Sequence, residues 1–379
     1  MSYDPYSNEW LLNRFDIYKD LRALDSAYWC EKHNLHVLTR YDDVLFALNN
    51  PKTFSSAQGN LLMESDERRG KTLGASDNPT HKIYKDIVIN AYSKDNIARV
   101  AKVFSDKTIE HLANVKELNV SDVTEVLSAW AVNEIMNIPV DKDAINDLAL
   151  NAHRHHPAMV LENFDLDFDK KFDIGIIYDA VRKRRYPQGP GVYKEYLYNN
   201  PKYLDVKSLI LGNMVTGLGS LAGAMQYLTL DLCYENQLDA LLQDRSLIPS
   251  AVDESLRFRA GVGRFCRTVT EEVTIHNVDL KPGDRVALAL ESANRDHNRF
   301  ENPDKFIISR KENKHLSWGH GVHACIALAI SKELLHLYLN LLLDNIGRYE
   351  IVTKPSELKY MIISGANINI MTNIMLRKL

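Results

Sequence analysis

Apolar and polar positions alternate in short blocks near the start of the chain. His36-Val37-Leu38-Thr39 has strand-like composition, and Tyr41 to Leu48 reads as a short helix closed by Asn49-Asn50-Pro51. From Pro79 to about Asn213 the spacing is mostly helical, with breaks at Pro139, at Pro157 and at the cluster from Pro187 to Pro190. Leu204 to Tyr234 is a long, largely apolar helical stretch whose charges lie mainly near its start. It holds Gly212, Gly217, Gly219 and Gly223, each costing up to ~1 kcal/mol relative to Ala in a helix interior. Such glycines suit either a buried helix packed closely on its neighbours or one crossing a flat cofactor that needs room.

After Pro249 a helix carries Glu254 and Arg257. Strand-like pieces follow at Val273 to Ile275 and Arg285 to Ala289, with a turn at Pro282-Gly283. A polar irregular stretch runs from Asn294 to Lys314. Ile326 to Leu343 reads as a helix apolar on most faces, hence buried, although Ser331, Lys332, Glu333 and Asn340 exclude a membrane span. With no internal repeat or linker, the pattern predicts a mainly α fold with minor β, in one domain over residues 1–379.

Composition adds limits rather than detail. A chain of 379 residues, 45% hydrophobic and 25% charged, is of ordinary globular type and can enclose a cofactor within its core. Its 46 basic and 50 acidic residues leave a net charge of −4, so bulk charge points neither to nucleic acid nor to a membrane. Arg182-Lys183-Arg184-Arg185 reads as a solvated helix face. Met1 to Trp10 is polar, with Asp4 and Glu9 where a secretion signal needs apolar residues. Cys30, Cys233, Cys266 and Cys325 are scattered without metal-type spacing, which suits reduced thiols in a cytoplasm.

The richest segment is His315-Leu316-Ser317-Trp318-Gly319-His320-Gly321-Val322-His323-Ala324-Cys325. Two glycines allow tight folding and close approach to a ligand. Cys325 stands where a helix is expected to begin, and unpaired N–H groups with the positive end of a helix dipole favour a thiolate there. A cysteine before an apolar helix is, taken alone, more often an inert core thiol. The loop resembles the cysteine-ligand loop of bacterial cytochromes P450, and Glu254-Ser255-Leu256-Arg257 resembles the Glu-x-x-Arg pair of that family at the expected place upstream. The likeness extends from about Phe54 to the C-terminus.

That resemblance implies the cytochrome P450 fold and one haem b (iron protoporphyrin IX), with Cys325 as the metal ligand and Trp318 against the ligand-side face. In Trp318, which stands where Phe is usual, the indole N–H could bond toward the sulfur, and Ala327 stands for a usual Gly. His81, in Asp77-Asn78-Pro79-Thr80-His81, resembles a propionate partner. Lys85 stands four residues on, where Arg is usual and the guanidinium fork is lost. Arg267 and His323 resemble the other propionate partners. Glu254, Arg257 and Arg310 are expected to form a structural charge triad.

In the oxygen-side helix, aligning Thr216-Gly217-Leu218-Gly219-Ser220 puts Gly219 where the family has an acid and Ser220 where it has an alcohol. The usual proton relay is therefore incomplete. A monooxygenase using water or a substrate group in place of the acid is the leading expectation. Oxidative coupling, oxygen-independent chemistry and a non-catalytic haem-thiolate sensor or binder stay open, as does a helical binding protein without haem. The resemblance places the substrate pocket at Thr216, Gly217, Gly261, Val262 and Ala366, with the segment after Gly59 and the region from Met159 to Asp173. It further implies a small organic substrate of secondary metabolism, O2, and electrons from a separate ferredoxin and ferredoxin reductase.

Overall fold

In the computed structural model the amphipathic stretches become helices stacked around a shared apolar interior. The structure describes residues 3–379 apart from 65, 67, 145, 148–149, 151–178, 181–182, 184–188, 200–215 and 364–367. The helices used below are α1 (Asn8–Arg22), α2 (Tyr41–Asn49), α3 (Thr80–Val88), α4 (Lys94–Leu112), α5 (Val120–Met136), α6 (Thr216–Tyr234), α7 (Ile248–Phe258) and α8 (Leu328–Asn345). Their ends follow local chemistry. Ser7 accepts the N–H of Trp10 to cap α1, and Asn119 accepts that of Asp122 to cap α5. Asn137, at φ 51°, closes α5 in the left-handed conformation. Pro249 sits in the first turn of α7, where its missing N–H costs nothing.

Helix α6 packs on α5 and α7, and α8 packs on α4 and α7. Their inward faces meet in one large apolar cluster that includes Phe104, Leu127, Leu228, Leu256, Leu334 and Tyr338. Two glycines of α6 permit close approaches: a Cβ at Gly217 would meet Val132 Cγ2 at 3.0 Å, and one at Gly223 would meet Ile370 Cγ2 at 3.2 Å. Gly223 thus serves helix packing. Gly217 also borders the central cavity.

A five-stranded sheet lies beside the helices in the order β1 (Tyr28–Cys30), β2 (Leu35–Leu38), β8 (Arg285–Leu288), β5 (Phe265–Val269), β3 (Phe54–Ser55). The β2–β8 pair is parallel and the other pairs are antiparallel. Side chains alternate across β5 as the pleat requires. Phe265 and Val269 face one cluster with Leu288, whereas Cys266 faces another with Ala287, Tyr3, Trp10 and Tyr18. In that second cluster the Tyr3 and Trp10 rings meet edge-on with centroids 4.8 Å apart.

Several expected boundaries move. Helix α8 begins at Leu328 rather than Ile326 and runs on to Asn345. It is not apolar on most faces in effect: Ile330, Leu334, Tyr338 and Leu342 form a buried stripe, while Leu328 is 37% exposed. Helix α1 was not apparent from apolar spacing. The first part of the expected stretch Leu204 to Tyr234, the breaks at Pro157 and at Pro187, and Arg182, Arg184 and Arg185 lie outside the described residues. Among the described residues no helix is long and apolar enough to cross a membrane.

Candidate active site

The loop from His315 to Cys325 is built from its glycines. Gly319 and Gly321 both take φ +67°, a left-handed backbone that side chains rarely adopt. A Cβ on Gly321 would also stand 2.8 Å from the carbonyl oxygen of Leu48, so only glycine lets the loop lie against α2. Turn hydrogen bonds close the loop: Gly319 N–H donates to Leu316 O at 2.8 Å, and Cys325 N–H donates to Trp318 O at 2.8 Å. From outside, the Asn294 amide accepts Leu316 N–H at 2.7 Å and donates to Ser317 Oγ at 2.8 Å. Ser317 in turn donates to Leu256 O on α7 at 2.6 Å. Asn294 falls in the irregular polar stretch, and no sequence signal singles it out.

Beneath the loop, Glu254, Arg257 and Arg310 meet. Arg257 donates to both Glu254 oxygens at 2.8 Å, and Arg310 Nε donates to Oε2 at 2.9 Å. Ile307 N–H adds a bond to Oε1 at 2.8 Å. The remaining guanidinium donors of Arg257 reach the carbonyls of Asn294, Pro303 and Lys305. Both members of the α7 pair are fully buried, so this is not an exposed helix pair.

Cys325 opens onto a cavity of about 270 Å³ framed by α5, α6, the start of β5, the glycine loop and the start of α8. Two expectations about its sulfur need correction. Helix α8 starts three residues beyond Cys325, after the short 3-10 turn Gly321–His323 and a bend. Burial pushes the bare thiol up, against a smaller lowering from the N–H of Ala327. Trp318 lines the cavity, but its buried indole Nε1 has no hydrogen-bond partner among the described residues, the sulfur included.

At one edge of this site four basic groups gather. His81 and Lys85 lie one turn apart on α3, and the rings of His81 and His323 meet edge-on with centroids 4.3 Å apart. Arg267 is buried, and its recorded hydrogen bond goes only to Cys266 O at 2.7 Å. Burial depresses it to about 10. Burial, together with Arg267, His81 and Lys85, pushes His323 down to about 3, and its Nε2 has no partner. Among the described residues none of the four has a carboxylate in ion-pair contact; the nearby Asp77 is engaged by Ser55 and Ser56. Buried cations without counter-charge are costly. A ligand bringing two carboxylates to this edge and a metal to Cys325 would satisfy donors that the chain leaves unmatched, so the residues present fit a haem.

On α6, Thr216, Gly217 and Ser220 line the cavity, as do Gly261 and Val262 across from them. Ser220 Oγ donates to Thr216 O at 2.8 Å, one turn back in its own helix. Gly219 is buried and points no side chain anywhere. Ala366, the turn Ser364 to Asn367 and the region Met159 to Asp173 lie outside the described residues. Tyr84, Val88 and Tyr92 also line the cavity and were not picked out beforehand. Tyr84 and Val88 share the helical spacing of His81 and Lys85, which could have found them.

A family model described as "Cytochrome P450" matches residues 237–358, which span the charge triad, β5 and the glycine loop. Over those residues the chain matches the cytochrome P450 family. It is 24% identical over 355 residues to a steroid C26-monooxygenase of Mycolicibacterium smegmatis, covering 88% of this chain and 84% of that one. It is 25% identical over 385 residues to the cyclomarin C epoxidase CymV of Salinispora arenicola, covering 92% and 91%. Among solved structures, the fold matches P450BioI, crystallised with an acyl carrier protein ligated to hexadec-9Z-enoic acid, at TM-score 0.83 with 19% identity over 98% and 100% of the two chains. The haem domain of CYP116B5 from Acinetobacter radioresistens matches at TM-score 0.84, with 18% identity over 100% and 97%. The fold is that of the P450s, a family whose class of activity is monooxygenation and whose cofactor is a thiolate-ligated haem.

Proposed function

We propose that residues 1–379 form one haem b domain that inserts oxygen into a small, largely apolar organic molecule, with Cys325 as the residue whose sulfur would hold the iron. The observation that carries this is that Cys325 and His323 line one cavity, with His81, Lys85 and Arg267 gathered behind His323 and, among the described residues, no carboxylate in ion-pair contact with any of the four. Bound haem supplies the iron at which O2 is reduced, and thiolate ligation favours O–O cleavage. The chain's own residues do the rest. Lys85 and Arg267 would neutralise the propionates, His81 and His323 would donate ring hydrogens to them, and Trp318 would cover the ligand-side face. Glu254, Arg257 and Arg310 hold the floor of the glycine loop rigid. The substrate rests against Thr216, Gly217, Gly261, Val262 and Ala366.

Proton delivery is where this chain differs from its family. Ser220 spends its hydrogen on Thr216 O, so its oxygen is left to accept from a water or a substrate hydroxyl. Gly219 can hold no proton. Water or a polar substrate group therefore completes the relay beside Ser220. The same gap favours a second reading, in which the enzyme carries out oxidative coupling or an oxygen-independent reaction. Electrons come from a separate ferredoxin and its reductase. The setting is the cytoplasm, in keeping with four free cysteines, and the product belongs to secondary metabolism, as the named epoxidase relative suggests. The test is reconstitution with surrogate ferredoxin and reductase under labelled O2. Label in the product, formed in proportion to reduced cofactor consumed, supports oxygen insertion. Turnover without label moves the second reading ahead, and binding without any turnover leaves a sensor.

A further inference from the structure

The glycine loop is anchored at its floor by the charge triad and at its flank by Asn294, but a third anchor lies between its first residue and the two helices around it. The imidazole of His315 is 3% exposed. Its Nδ1 accepts the N–H of Ser317 at 3.3 Å, which requires that nitrogen to be unprotonated and leaves the ring hydrogen on Nε2. Nε2 faces Oδ1 of Asp253, on α7, at 3.8 Å. The same oxygen is held by Lys332 Nζ, in the second turn of α8, at 2.7 Å. Burial acts to raise the Asp253 carboxyl, but contacts from His315 and Lys332 outweigh it and hold the group below its ordinary range. The backbone N–H of Ser317 has no other recorded acceptor, and its hydroxyl is committed to Leu256 O. One carboxylate therefore joins the residues before Cys325, the helix after it and the helix beneath it.

We infer that His315 is a positioning residue for the thiolate: its Nδ1 sets the direction of the chain into Trp318 and Cys325, while Asp253, held by Lys332, steers the ring electrostatically from 3.8 Å. The inference rests on the reading that Cys325 is the axial ligand. His315 touches neither that sulfur nor the cavity, so it acts only through the loop. Two side chains separate its functions. Asn carries an amide oxygen near the place of Nδ1 and can accept from Ser317, but it falls short of Asp253. Gln reaches toward the place of Nε2 and can contact Asp253, but it does not present an acceptor at the nearer position.

The experiment uses purified holoprotein of the full chain and reads the share of the reduced carbon monoxide complex that shows the thiolate-type band, with haem content and thermal midpoint measured alongside. His315→Ala is expected to lower that share several-fold while most haem is retained. His315→Asn should recover most of it, and His315→Gln should resemble Ala. Asp253→Asn should give a smaller loss and serves where His315→Ala does not fold. A wild-type thiolate share in both His315→Ala and Asp253→Asn overturns the inference. So does a fall in thermal midpoint with the share unchanged, or an Asn variant no better than Gln. If the wild-type protein shows no thiolate-type band at all, it is the assignment of Cys325 that has failed, and the two failures are distinguished.

Discussion

Replacing Glu254 by Ala removes a buried carboxylate that faces two guanidinium groups, those of Arg257 and Arg310. The structure sets the scale of the damage. Glu254 and Arg257 have no exposed side-chain surface, and Arg310 retains only 8%. Arg257 would keep its three carbonyl acceptors but lose both 2.8 Å charge-assisted bonds. Breaking such a buried pair from one side costs about 3–5 kcal/mol, because the surviving charge stays desolvated. Domains of this kind have about 5–15 kcal/mol in all, so roughly a fifth or more of the stability is at stake. Glu254→Gln keeps an acceptor for Ile307 N–H and Arg257 and is expected to cost about half as much. Denaturant unfolding of wild type, Glu254→Ala and Glu254→Gln, read by far-UV circular dichroism with haem absorbance in parallel, gives the order. The expected ranking is wild type, Gln, Ala, with haem lost at lower denaturant than secondary structure, since the triad lies under the glycine loop. If Glu254→Ala unfolds within about 1 kcal/mol of wild type and holds its haem, the reasoning about buried charge is refuted.

Cys325→Ala should abolish the thiolate-type band of the reduced carbon monoxide complex, whereas replacing Cys30, Cys233 or Cys266 should leave it intact; a band surviving in Cys325→Ala would remove the ligand assignment. Ser220→Ala should raise peroxide release relative to product, at or below the low end of the ~100- to 10,000-fold range for a lost acid–base element; peroxide and product are assayed together, and unchanged coupling would deny the hydroxyl a role. Arg267→Met should have opposite signs in two states: the haem-free chain gains stability because a buried, unpaired cation is gone, and the haem-loaded chain loses haem more readily. Parallel thermal scans of the two forms check this, and a change of the same sign in both would count against Arg267 as a propionate partner.

Much of this was legible beforehand, and the exceptions have physical causes. Motifs whose parts are close in sequence were readable: the glycines at 319 and 321 need a left-handed backbone, and Glu254 and Arg257 are one helical turn apart. Strands such as Val273–Ile275 and helix Tyr41–Asn49 emerged with boundaries within a residue or so, because proline, glycine and asparagine punctuate them. What depended on long-range contact was not readable. Asn294 earns its place only because Leu316 and Ser317 arrive beside it, and the partnership of Asp253 with His315 and Lys332 needs three separate segments. The start of α8 was misplaced for a related reason: the turn at Ile326 and Ala327 that precedes it depends on how the loop packs.

Strand β5 has a consequence for how the length of this chain can vary. Its residues divide two territories by parity alone: Phe265 and Arg267 face the side of His323 and the cavity, and Cys266 fills the pocket made by Tyr3 and Trp10. Losing or gaining a single residue between 265 and 269 would turn the strand over, presenting a thiol to the basic cluster and a guanidinium to the aromatic cluster. Relatives that diverge here can do so by exchanging side chains in place. Insertions and deletions belong instead to the turn at Pro282-Gly283, where Gly283 meets nothing within 4 Å.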